Sequence, residues 1–109
     1  MVQIVWTEPA LADLDAIADY IALENPAAAK ALVQRAFRHV KLLEKSPLIG
    51  PRVPELRSGR YRQISEPPCR VIYLVESNRA FILHVVRSER LLHPGLLSKR
   101  RTKLVGGNR

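Results

Sequence analysis

Besides its carboxylates, lysines and tyrosines, the side chains here that could do acid, base or ligand chemistry are Cys69 and three histidines, His39, His84 and His93. A lone cysteine makes no internal disulfide, and these four residues lack the paired spacing of a zinc site. No metal and no other cofactor is expected. His84 lies in an apolar run, residues 81–86, where a histidine is more often a hydrogen-bonded core or groove residue than a general base. His39 falls on a basic stretch and reads as solvated. Cationic chemistry would come from arginine. Arg62, Arg70 and Arg87 lie on or beside strand-like runs and could meet a phosphate or an acidic target. Arg70 could equally pair with Glu66 or Glu76 at a strand end. If the strands are regular, Arg60, Arg62 and Arg70 share parity and line one sheet face.

The elements that must position these residues follow from periodicity. Val2, Ile4 and Trp6 alternate, which predicts a short opening strand. Thr7 then caps a helix with Glu8 and Pro9 in its first turn, and Leu11, Leu14, Ile17, Ala18 and Ile21 form its apolar stripe to about Glu24. Asn25-Pro26 repeats the start signal almost without a loop. A second, basic helix therefore folds back as an antiparallel hairpin, with Leu32, Val33, Ala36, Phe37, Val40 and Leu43 on its stripe. Residues 47–59 carry Pro47, Pro51, Pro54, Gly50 and Gly59, which no regular element tolerates. Strands are predicted at residues 61–65, 69–76 and 80–87, turning at Pro67-Pro68 and at Ser77-Asn78. The last two are apolar on both faces, as strands covered on two sides must be. The helical hairpin is one cover. The C-terminal segment is too polar to be the whole of the other, so a protein partner is expected there.

The length, 109 residues, limits the chain to one domain, expected over residues 1–97 with a basic, disordered tail at 98–109. No stretch reads as a signal peptide or a transmembrane helix, and a cytoplasmic location with no membrane role is expected. All 18 basic residues lie at Lys30 or later, so the first 29 residues carry −5 and the rest +13, a net of +8. Such a surface suits an anionic partner.

The order of elements resembles the RelE/ParE superfamily of bacterial toxins. The resemblance is carried by Trp6-Thr7 with Asp13, Leu14, Ile17 and Tyr20-Ile21, by Asn25-Pro26, by Gly50, Arg52 and Pro54-Glu55-Leu56, and by Tyr61-Arg62 and Arg70-Val71-Ile72-Tyr73. It implies an α/β fold of the α+β type, a helical hairpin packed on one face of a small antiparallel sheet. It also implies a toxin neutralised by a cognate antitoxin, with operator DNA reached only through that antitoxin. The superfamily divides into gyrase poisons and ribosome-dependent mRNA interferases, and fold alone does not choose. Residues 50–56 and 85–92 look more like the ParE branch, which acts on DNA gyrase without a recognised catalytic set. Its target or antitoxin contacts would include Arg52, Arg60, Arg62, Arg70, Arg87 and Arg90. In the alternative interferase, acting on ribosome-bound mRNA, His84 would work with Arg62, Arg70 and Arg87, and His93 is a second candidate acid or base. A plain nucleic-acid-binding module built on the basic helix is a third reading, without a recognised signature to support it.

Overall fold

The computed structural model describes residues 1–101. Its first strand, β1 (Gln3–Trp6), runs straight into α1 (Glu8–Ala22) through Thr7. The Thr7 hydroxyl oxygen accepts from Ala10 N at 3.3 Å and donates to Ile82 O at 2.8 Å, so one buried residue both caps the helix and ties it to a distant strand. Asn25 caps α2 (Pro26–Lys41) by accepting from Ala28 N at 3.0 Å, and a 3₁₀ turn, Leu42–Glu44, ends the hairpin. The second half supplies β2 (Tyr61–Glu66), β3 (Cys69–Glu76), β4 (Arg79–Arg87) and α3 (Pro94–Arg101).

The strands form one sheet in the order β1-β4-β3-β2. β2, β3 and β4 make the expected antiparallel meander, while β1 adds to β4 in parallel. Connectivity explains the difference from a purely antiparallel sheet. The helical hairpin carries the chain from β1 to the far edge, and three antiparallel strands then bring β4 back running in the direction of β1.

Each face of the sheet has its own core. Ala10, Leu14, Leu32, Ala36 and Val40 of the hairpin pack on Ile64, Val71, Tyr73, Ile82 and Val85. On the opposite face Ile72, Leu74, Phe81, Leu83 and Val86 are covered by Val53 and Leu56 of the long loop and by Leu92 and Leu97. The expected bare face is therefore absent, and the chain closes its own second core. A mean over a polar segment conceals this, because Leu97 is 0% exposed while its neighbours Ser98 and Lys99 face solvent. Residues 98–101 form the last turn of α3. Residues 102–109 lie outside the described residues.

Candidate functional site: a groove at the open edge of β4

β1 pairs with β4 only from Arg79 to Ile82, yet β4 continues to Arg87. Beyond Ile82 the outer edge of β4 has no neighbouring strand among the described residues, and its polar backbone groups need other partners. A register shift begins at the same point, with Ile82 opposite Tyr73 but His84 opposite Ile72, so Leu83 is an extra residue in β4. The bulge changes the facing of the strand. Ile82 and Val85 both enter the hairpin core, whereas Phe81, Leu83 and Val86 enter the other.

Asp13 of α1 occupies the vacated edge. Its Oδ2 accepts from Val85 N at 3.1 Å and lies 2.6 Å from His84 Nδ1. Arg100 of α3 also donates to Asp13, and its Nη1 donates to Leu83 O at 3.2 Å and lies 2.7 Å from His84 Nδ1. One carboxylate thus joins α1, β4 and α3. Burial would push the Asp13 carboxyl up, but hydrogen bonds from His84, Arg100 and the Val85 amide outweigh it and hold the group below its ordinary value.

A groove of about 420 Å³ runs along this edge between α1 and the segment after β4, lined by Ala16, Ile17, His84, Arg87, Arg90 and His93 among others. A second hollow of about 480 Å³ shares Ala16, Ile17 and Arg87 and adds Tyr20. The two adjoin to make a channel whose α1 side carries Ala16, Ile17 and Asp13, and whose other side sets Arg87 and Arg90 among Val86, Leu91 and Leu92, with Glu89 at the second hollow. Arg87 marks their junction, its guanidinium carbon 5.5 Å from the centre of the Tyr20 ring.

The remaining site candidates are placed elsewhere. Arg70 is buried and donates to Glu55 Oε1 at 3.0 Å, to Gln63 Oε1 at 2.9 Å and to Arg90 O; its Nε has no hydrogen-bond partner among the described residues. The partner is Glu55 of the loop, not Glu66 or Glu76. The Arg70 hydrogen bond, working against partial burial, holds the Glu55 carboxyl below its ordinary value, and Glu55 Oε2 accepts from Leu92 N at 3.2 Å. Arg62 donates to Gly50 O at 2.9 Å and Leu48 O at 3.3 Å, fastening the loop. Arg60 pairs with Glu76 at 3.2 Å, and Arg52 forms an isolated bridge with Arg62.

Arg62 and Arg70 consequently lie on opposite faces of the sheet. Pro67 and Pro68 form a two-residue turn, so Glu66 pairs with Cys69 and Arg62 with Tyr73; even positions of β2 sit across from odd positions of β3. The shared-parity face does not exist. His39 is likewise not simply solvated, since its Nδ1 lies 2.9 Å from Glu66 Oε1 while Arg35 Nε donates to Glu66 Oε2 at 3.0 Å. Burial opposes ionisation of Glu66, and the His39 and Arg35 contacts prevail, leaving its carboxyl below the ordinary value.

Three residues of these networks carried a weak signal or none in the sequence reading. Asp13 is the one carboxylate on the buried arc of α1, three residues after Ala10 and four before Ile17, which could have marked it. Glu55 was marked only by the family resemblance and Arg100 by nothing, because their partners are distant in the chain.

Residues 4–92 match the family described as ParE toxin of type II toxin-antitoxin system, parDE. The chain belongs to the ParE toxin family. It is 34% identical over 92 residues to Toxin RelE2 of Caulobacter vibrioides, which covers 84% of this chain and 100% of that protein. A solved structure, the chromosomal ParDE TA system from P. aeruginosa, superposes with a TM-score of 0.70 at 29% identity, covering 82% of this chain and 98% of that one. The chain is thus a type II toxin with a cognate antitoxin as its partner. Among the described residues, no helix is long and apolar enough to cross a membrane, and no group of three or more His, Cys, Asp or Glu is placed to hold a metal.

Proposed function

We propose that this toxin arrests growth in the cytoplasm by poisoning DNA gyrase, and that its antitoxin silences it by seating an acidic, partly apolar segment in the channel beside β4. The observation that carries the choice of target is the dispersal of the candidate catalytic set. Attack of a 2′-hydroxyl on a phosphate needs a base, an acid and cations around one phosphorus. Arg62 is committed to the loop carbonyls, Arg70 is buried on the other face with Glu55, and His84 is held by Asp13 and Arg100. These side chains do not converge on one substrate atom.

The interferase reading keeps one favourable observation. His84, His93, Arg87 and Arg90 all line the same groove, which gives two imidazoles and two guanidinium groups a common opening. Purified toxin separates the readings. On the gyrase reading it blocks supercoiling or traps cleaved DNA and leaves ribosome-bound mRNA intact. His84→Ala is then nearly silent apart from stability. On the other reading mRNA is cut in the ribosomal A site, and loss of His84 slows cutting by about 10² to 10⁴, the usual size of a general acid or base effect.

A further inference from the structure

The outer faces of the two long helices carry opposite charge. On α1 the charged residues turned away from the sheet are Glu8, Asp15 and Asp19, all exposed and interleaved with exposed Ala12 and Ala16, with no basic residue among them. On α2 the corresponding stripe is Lys30, Gln34, Arg38 and Lys41, all exposed, with no acid. Helical spacing places each set in a narrow arc opposite the buried stripe, at intervals of three, four and seven residues. Among the described residues Glu8, Asp15, Asp19, Lys30 and Arg38 have no ion-pair partner, and Lys41 has only an exposed contact with Glu44 at 3.7 Å. A hairpin with one anionic and one cationic outer stripe is complementary to itself.

We infer that this face associates with a second copy of the chain, hairpin against hairpin, with α1 of each copy lying on α2 of the other. The charge pattern selects the symmetry. A two-fold axis parallel to the helices puts each acidic stripe on a basic one, whereas an axis across them puts acid on acid and base on base. The antiparallel hairpin also sets the levels. Glu8 and Lys41, Asp15 and Gln34, and Asp19 and Lys30 are equally far along the chain from the turn between the helices. Under the favoured axis, each acid therefore faces the level-matched residue of the second copy, and Arg38 falls between Glu8 and Asp15. The arrangement is a four-helix layer between two sheets.

Its strength is bounded by area. A 15-residue helix is about 22 Å long, and two helices about 10 Å apart give roughly 450 Å² per copy, below the 800 Å² of a standard interface. The dimer is therefore of the weak, transient class. The net charge of +8 repels two copies at long range. That repulsion is screened at about 0.1 M salt, where the Debye length is near 10 Å, while charges in contact still attract; at about 1 M the contacts are screened as well.

Sedimentation velocity on the full chain tests the inference. The expected result is concentration-dependent dimerisation at about 0.1 M salt that disappears near 1 M. Two double variants sharpen it. Asp15→Lys with Asp19→Lys leaves both stripes net basic despite Glu8, and Lys30→Glu with Arg38→Glu leaves both net acidic despite Lys41, so each alone should associate at least about tenfold more weakly. Mixed together, they should form the hybrid dimer, since positions 19 and 30 again carry opposite sign across the contact, as do positions 15 and 38. All four positions are exposed, and circular dichroism confirms that the variants remain folded. A monomer at every concentration and salt would overturn the inference. So would a dimer that persists in both variants, absence of the hybrid, or charge swaps that alter only antitoxin binding.

Discussion

Gly50 has no space for a side chain. A Cβ there would meet Gln63 O at 2.4 Å and Tyr73 Oη at 2.9 Å, and both contacts are fixed: the first is backbone, and Tyr73 is 0% exposed. The tyrosine hydroxyl accepts from Gly50 N at 3.0 Å and donates to Pro47 O at 2.8 Å, so one core aromatic pins an otherwise irregular loop. Burial pushes that hydroxyl above its ordinary pKa, and it remains a donor across the working range. Gly50→Ala should cost about 1–3 kcal/mol, as overpacking does, and Tyr73→Phe a similar amount by stranding the Gly50 amide. Urea midpoints measure both. Gly95→Ala is the control, because a Cβ there meets nothing within 4 Å, and its midpoint should not fall.

At the scale of elements the informative case is α3. Eight residues are too few for a helix to stand alone, and this one carries Lys99, Arg100 and Arg101. It is held by Leu97 in the second core and by Arg100 on Asp13, a contact spanning 87 residues of chain. Arg100→Ala removes charge-assisted hydrogen bonds worth about 1.5–3 kcal/mol, so amide exchange in α3 should quicken roughly 10- to 100-fold. Exchange in α1 and β3 should be unchanged; uniform loss of protection would mean that α3 opens only with the whole molecule. This element also shows why parts of the fold were illegible. The caps at Thr7 and Asn25 and the turns at Pro67-Pro68 and Ser77-Asn78 are local chemistry and could be read directly. The docking of α3 and the bulge at Leu83 are decided by contacts between distant segments. The site suffered in proportion: the arginines were visible as types, but their facing hung on a turn length, and Asp13 was hidden as one more acid on an acidic helix.

Over the whole molecule, three carboxylates hold the periphery to the sheet. Asp13 joins α1, β4 and α3; Glu55 joins the long loop, β3 and the segment before α3; Glu66 joins α2 to the end of β2. All three have lowered pKa values, so each binds protons more weakly in the folded chain than in the unfolded one. The stabilisation from a lowered carboxyl is complete above the unfolded value, about 4, and is lost as pH falls through the folded value. Melting temperature should therefore hold level through neutral pH and fall steeply below about pH 4, with all three attachments weakening in one window. Asp13→Asn sets the test. The variant cannot ionise, so it should melt lower than the parent at pH 7, and the gap should narrow as acid neutralises the parent's own Asp13. Thermal melts by circular dichroism from about pH 7 to about pH 2 follow both. A gap of constant size across that range would show that Asp13 acts through shape and neutral hydrogen bonding alone, and that its charge does not hold α1 to α3.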